Sequence, residues 1–235
     1  MPRFFAESLS GCDALLSQEE AHHAYKVLRL RDGDACQIIF DGRLYAGVFS
    51  DAVQGRVTVT QLPLPSPEPT VRFTLYQGIP KGDKMDMICQ KCTEAGVSRI
   101  VPVQMKRCVA EVRGADAEKK RQRWQRIVME AAKQSGRAVV PEVCLPVSFD
   151  EMLRALPSHA LSLVPWEDAR GQSVRTAFSG QSDVAAVIGP EGGIAPEEIS
   201  RMPALPVTLG PRIFRTETAG LAALIEIMCL SGNMD

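Results

Sequence analysis

Val184-Ala185-Ala186-Val187-Ile188, running into Gly189-Pro190-Glu191-Gly192-Gly193, is the stretch that decides the fold. An unbroken apolar run rich in valine reads as a strand covered on both faces, as in parallel sheets. Three glycines around a proline and a carboxylate then stop it. In open α/β sheets ligands bind at the carboxyl ends of strands, and glycines let a ligand lie against bare backbone amides. A tight strand-to-helix turn with no ligand is the plainer alternative. The chain contains no G-x-G-x-x-G and no G-x-x-x-x-G-K-[ST], which argues against a Rossmann dinucleotide enzyme and a P-loop nucleotide hydrolase.

A second turn of the same kind follows. Leu209-Gly210-Pro211-Arg212-Ile213-Phe214-Arg215-Thr216-Glu217-Thr218-Ala219-Gly220 leaves a short apolar run at 207–209 and enters a helix from about 217, with Thr216 or Thr218 suited to the N-cap. Its arginines can hold an anion or orient a polar base edge; a plain Arg215–Glu217 surface pair is the alternative. Working back toward the amino terminus, strands are expected over 71–77, 99–103, 161–164 and 184–188. Helices are expected over about 83–95 and through a basic stretch ending at 134. That alternation indicates a mostly parallel α/β sheet.

The first third reads differently. Ser17-Gln18-Glu19-Glu20 is a capping box opening a helix to Leu28. A hairpin is expected over 36–40 and 43–49 around Asp41-Gly42, with another strand over 57–62. Pro63, Pro65, Pro67 and Pro69 alternate through an extended spacer, which divides the chain into a small β domain over 1–68 and an α/β domain over 70–235.

Charge is segregated along the 235 residues, whose net charge is −1. Residues 1–71 hold 6 Lys/Arg against 9 Asp/Glu, residues 72–137 hold 15 against 7, and residues 138–235 hold 6 against 12. The densest basic run, Lys119-Lys120-Arg121-Gln122-Arg123-Trp124-Gln125-Arg126, suggests phosphate attraction. A solvated helix face is the alternative, because Trp124, Ile127, Val128, Ala131 and Ala132 keep helical spacing on one side. Seven cysteines, no secretory h-region and no apolar run near the ~18 residues of a membrane span point to a cytoplasmic protein with reduced thiols. Cys89 and Cys92 share a helical face with Met85, Ile88 and Ala95 and read as packing. No metal-ligand constellation is visible around them or His22, His23 and His159.

Further motifs run nearly end to end: Arg31-Asp32-Gly33-Asp34, Lys81-Gly82-Asp83-Lys84-Met85-Asp86, Gln90-Lys91-Cys92-Thr93-Glu94-Ala95-Gly96-Val97 and Glu130-Ala131-Ala132-Lys133-Gln134-Ser135-Gly136-Arg137. With the two glycine turns they resemble the RsmE family, bacterial 16S ribosomal RNA uridine-N3 methyltransferases of the SPOUT superfamily. Phe214 stands where that family usually has Leu, and Met105-Lys106-Arg107-Cys108 replaces a Ser-Glu-Arg-Ser type of turn.

The resemblance implies a PUA-like RNA-binding β-barrel followed by a parallel-sheet methyltransferase domain tied in a trefoil knot. It also implies a homodimer buried through the helix over 219–230, and S-adenosylmethionine as methyl donor. The cofactor is expected among Val164 and the loop after it, Gly189, Pro190, Glu191, Gly192, Gly193, Leu209, Gly210, Ile213, Phe214 and Thr218. No metal is needed, because a sulfonium is already an activated leaving group. Methylating uracil N3 requires loss of its proton and stabilisation of the anion. Arg215 is expected to supply positive charge, and Glu217 or Glu191 to take the proton or hold the arginine. Arg3, Arg29 and Arg31, with Lys81, Lys84, Arg107, Arg137 and the basic helix, are expected to line an RNA groove. The substrate implied is the uridine conventionally numbered 1498 in 16S rRNA of the small ribosomal subunit.

Overall fold

The computed structural model describes residues 1–112 and 114–234, with the side chains of 61–63 excepted. The chain divides into two compact units. One comprises Met1–Glu68 together with Ala132–Val139, and the other Pro69–Ala131 together with the chain from Val140 onward.

The first unit is a closed barrel of β1 (Arg3–Ser10), β2 (Asp13–Leu16), β3 (Ala35–Phe40), β4 (Arg43–Asp51) and β5 (Arg56–Leu64), in the order β1-β2-β5-β4-β3. Neighbours are antiparallel except β1 and β3, which run parallel. The β3–β4 hairpin turns at Asp41 (φ 49°) and Gly42 (φ 69°), both left-handed as a two-residue turn of the hand that matches strand twist demands. Phe4 and Phe49 meet edge to face inside the barrel, centroids 5.6 Å apart. Helix α1 (Gln18–His22) is capped by Ser17 Oγ, which accepts the Glu20 N–H at 3.1 Å, and runs into a π-turn over His23–Val27. The Glu20 carboxylate meets Lys133 at 2.5 Å.

The second unit is a seven-stranded, wholly parallel sheet. Its strands are β6 (Arg72–Gly78), β7 (Arg99–Gln104), β8 (Glu142–Val143), β9 (Val147–Ser148), β10 (Leu161–Pro165), β11 (Asp183–Ile188) and β12 (Leu205–Val207). The order is β12-β10-β11-β6-β7-β8, with β9 also on β7. The helices are α2 (Lys84–Glu94), α3 (Gly114–Ser135), α4 (Phe149–Ala155), α5 (Val174–Ala177), α6 (Pro196–Ile199) and α7 (Thr216–Leu230). The period of two along each strand sorts the core. Phe73, Leu75, Val184, Ala186 and Ile188 pack with α2 and α7, while Tyr76, Ala185 and Val187 pack with Met152 and Leu156 on the other face. Central strand β11 is therefore covered on both sides, as its unbroken apolar run required. Cys89 and Cys92 are buried in the first of these layers, and burial pushes the Cys92 thiol up to about 12. They are packing residues.

Two expectations shift. The last strand is Leu205–Val207 rather than 207–209; Pro206 is tolerated because β12 is an edge strand with no second ladder to supply. Thr216 begins α7, and Arg215 occupies the N-cap without a side-chain bond.

Candidate functional site

The carboxyl ends of β10, β11 and β12 open into three loops, and these enclose two adjoining cavities of about 670 and 490 Å³. Pro165, Trp166, Glu167, Ile213, Phe214 and Ala219 line both. The glycine turn after β11 walls the smaller cavity, and Leu209 and Gly210 wall the larger. Gly78, at the end of β6, lies so close to the turn that an added Cβ would stand 2.7 Å from Pro190 Cδ. Gly193 holds φ +70°, a conformation L side chains rarely adopt. The loops are joined by main-chain bonds: Trp166 N–H donates to Val207 O at 3.0 Å and Thr208 N–H to Gln172 O at 2.8 Å.

One ammonium ties the two turns together. Lys84 Nζ lies 2.9 Å from Glu191 Oε1 and 3.4 Å from Glu217 Oε2. The hydrogen bond that Lys84 donates to Glu191 raises its pKa. Partial burial opposes ionisation of Glu191, but Lys84 together with backbone donors, the Lys81 N–H among them at 3.1 Å, holds its carboxyl below the usual range. Glu217 Oε2 is buried without a hydrogen bond, and among the described residues Lys84 is the one cation within 4 Å of it. Beneath the turns, the fully buried Gln77 donates to Thr216 Oγ1 at 2.9 Å, and Thr216 Oγ1 donates to Gly189 O at 2.6 Å. This tertiary bond takes the hydroxyl that a cap would have used. Arg107 donates to Gly192 O at 2.8 Å from the β7 side.

The structure therefore gathers Gly189, Pro190, Glu191, Gly192, Gly193, Leu209, Gly210, Ile213, Phe214 and Arg215 around the cavities. Val164 is 1% exposed and faces the core; Thr218 and Glu217 do not line either cavity. Arg215 is exposed and has no carboxylate partner among the described residues, so neither glutamate holds it. Trp166 and Glu167 fall in the expected loop after Val164 without being singled out, Thr216 was marked only as a cap, and Gln77 escapes sequence reading.

The expected RNA residues separate by unit. In the sheet unit Lys84 and Arg107 brace the glycine turn, and the Lys81 side chain is exposed. The basic helix is largely neutralised: Arg121 pairs with Glu118, Lys120 with Asp116, and Arg123 with Asp83 and Asp86. In the barrel unit Arg137 is 5% exposed and bound to Glu68 at 2.6 Å. Arg3 donates to Gln37 and to the Gly136 carbonyl. Arg29 and Arg31 are exposed. Among the described residues no helix is long and apolar enough to cross a membrane, and no group of three His, Cys, Asp or Glu is placed to hold a metal.

Comparison with known proteins agrees with this architecture. Residues 66–228 match the family described as RNA methyltransferase domain, and residues 16–60 the RNA methyltransferase PUA domain. The ribosomal RNA small subunit methyltransferase E of Bacillus subtilis is 35% identical across 90% of this chain and 88% of its own length. The chain belongs to the ribosomal RNA small subunit methyltransferase E family. Its Mycobacterium bovis member is 32% identical over 99% of this chain and 93% of its own length. The solved methyltransferase E of Neisseria gonorrhoeae, bound to S-adenosyl methionine, superposes with a TM-score of 0.86 at 33% identity, covering 98% of both chains. A methyltransferase of Legionella pneumophila with the same bound cofactor gives 0.84 at 31% identity, covering 97% of this chain and 96% of that one.

Proposed function

We propose that the chain uses S-adenosylmethionine to methylate N3 of one uridine, the position numbered 1498, in the 16S rRNA of the small ribosomal subunit. The observation that carries the reading is the pair of adjoining cavities between the β11 and β12 turns, with an unpaired guanidinium, Arg215, at their edge. The residues fit the cofactor. Trp166, Leu209 and Phe214 offer apolar surface to an adenine ring, while Glu167 and Glu191 supply negative charge toward a cationic sulfonium and ammonium. Bound there, S-adenosylmethionine supplies a methyl group already activated on sulfur.

The chain's own residues do the rest. Backbone at Gly189, Gly192, Gly193 and Gly210 fixes the donor's position, so that the attacking nitrogen needs only to be aligned. Arg215 supplies positive charge as uracil N3 loses its proton and a negative charge spreads to the flanking oxygens. Glu191 lines the cavity and takes that proton. Glu217, set behind the cavity, keeps Lys84 in place. Chain passage supports the knotted reading of the C-terminal segment: the chain leaves edge strand β12, and α7 then packs against α2 and central strand β11. The largely apolar α7, with several half-buried residues, supports a dimer through that helix.

The test is tritium transfer from labelled S-adenosylmethionine to small subunits lacking the modification, followed by nucleoside analysis. Label in 3-methyluridine is expected. Label in another nucleoside overturns the N3 assignment, and absence of cofactor binding overturns the reading as a whole.

A further inference from the structure

Between the β11 turn and the starts of α2 and α7, one ammonium serves two carboxylates, and the two are not equivalent. Glu191 lines the smaller cavity, has Lys84 Nζ at 2.9 Å and keeps the Lys81 N–H at 3.1 and 3.3 Å from its two oxygens. Glu217 lines neither cavity. It sits in the first turn of α7, where the helix dipole favours its ionised form, and Lys84 Nζ stands 3.4 Å from an Oε2 that accepts no hydrogen bond. A buried charged acceptor left unfilled is costly and calls for a donor within reach. The one ammonium near enough is already committed to Glu191.

The asymmetry matters once Glu191 has a proton to take. A carboxylate held low by Lys84 and backbone donors is a weak base, whereas removing the proton of uracil N3 needs a stronger one. A second carboxylate beside the ammonium eases that conflict. While both are ionised, Glu217 draws part of the Lys84 charge from Glu191 and adds negative charge nearby, and each effect raises the affinity of Glu191 for a proton. When the N3–H bond breaks and an O–H bond forms on Glu191, its carboxyl becomes neutral and holds the ammonium weakly; Glu217 Oε2 is the charged acceptor next to it. Lysine suits the crossing, because a compact charge on a flexible stem moves by its own torsions. Lys84 keeps its protons throughout, since its pKa is raised, and the Lys81 amide keeps Glu191 in position. The other groups facing Glu191 are Arg107, through its bond to Gly192 O, Arg215 and Glu167 in the same cavity, and the Cys108 thiol, which burial keeps protonated. Neither arginine lies within 4 Å of Glu217.

We infer that Glu217 is a positioning residue for proton removal: it shares Lys84 with Glu191 in the resting site and takes the ammonium over when Glu191 is protonated. The inference rests on the reading of Glu191 as proton acceptor and adds the group that lets it act. The experiment follows the Glu191 carboxyl by NMR in the full chain labelled with carbon-13 at glutamate Cδ, its signal assigned by loss in Glu191→Gln. Single-turnover methyl transfer to unmodified small subunits is read alongside. In Glu217→Gln the Glu191 titration midpoint is expected about one pH unit lower. Transfer is expected to be about three- to tenfold slower, with cofactor affinity kept. Glu217→Asp, which restores the charge, should recover most of both. When Lys84→Met is already present, adding Glu217→Gln should move the midpoint much less. An unmoved or raised midpoint in folded Glu217→Gln overturns the proposal, and so does a shift of equal size with and without Lys84, which would leave Glu217 acting by its charge alone. Full turnover in Glu191→Gln would instead remove the proton acceptor of the proposed mechanism, and this inference with it.

Discussion

Residues 1–71 are formally acidic, with 6 basic against 9 acidic side chains, while α3 holds the densest basic run of the chain. Their local pairing differs. In the barrel Lys26, Arg29, Arg31 and Arg56 meet no carboxylate among the described residues, whereas on α3 Lys120, Arg121 and Arg123 each meet an acid. A cation already paired at close range has less to offer a phosphate, so a segment's formal sum does not by itself locate the attraction. The same distinction runs through the candidate site. Lys84 and Arg107 are engaged with the turn they support, and Arg215 is not.

Substitutions that remove engaged and unengaged charges should therefore differ in kind, and the expected effects descend in size. Replacing Arg137 by Met strands the Glu68 carboxylate in a mostly buried setting; a loss of about 3–5 kcal/mol is expected in denaturant unfolding. A loss under 1 kcal/mol would show that this pair behaves like a surface contact. Arg215→Ala is expected to lower methyl transfer about 100-fold with cofactor affinity kept, as for a group acting on developing charge. Full turnover in that variant would remove Arg215 from the chemistry. Lys84→Met should weaken cofactor binding about tenfold by loosening both turns, with RNA affinity unchanged, and Lys84→Arg should recover part of it. A variant that lost RNA affinity alone would return Lys84 to the RNA-contact class. On α3, Arg121→Gln should change RNA affinity less than twofold, because its charge is already met by Glu118.

A pH profile sharpens the comparison further. Glu191 is held below the usual carboxylate range, so its folded-state pKa lies under its unfolded one. Its contribution to stability is complete above the unfolded value, about 4.3, and is lost as pH falls through the folded one. Wild-type transfer should thus stay level down through the ordinary glutamate range. In Lys84→Met the acid limb should move upward, and an unmoved limb would show that Lys84 does not set the ionisation of Glu191.

Long elements were legible in the sequence: the β3–β4 hairpin from its Asp41-Gly42 turn, β11 from its apolar run, α2 and α3 from their spacing, and α7 from the threonines at its start. Strand β1 escaped notice because its burial alternates imperfectly across a register shift between Ala6 and Ser8, and β2 because it spans only four residues. Strands β8 and β9 are two residues each, too short for any period to register. At the site, the glycine turns announced themselves through composition. The Lys84 brace and the Gln77–Thr216–Gly189 chain did not, because partners separated by more than a hundred residues leave no local pattern.

The membership of Ala132–Val139 in the barrel unit bears on the order in which the protein can be made. Ala138 packs on Ile39 and Leu44, and its amide is bound by Glu68, 70 residues earlier in the chain. A ribosome that has finished all five barrel strands has therefore released a barrel whose Ile39 and Leu44 are uncovered and whose Glu68 still lacks its partners. The amino-terminal unit cannot complete its packing first and wait for its neighbour, as domains made in order usually do. It must hold through synthesis of β6, α2, β7 and α3, and truncation after Glu68 should yield a barrel less stable than the full chain's.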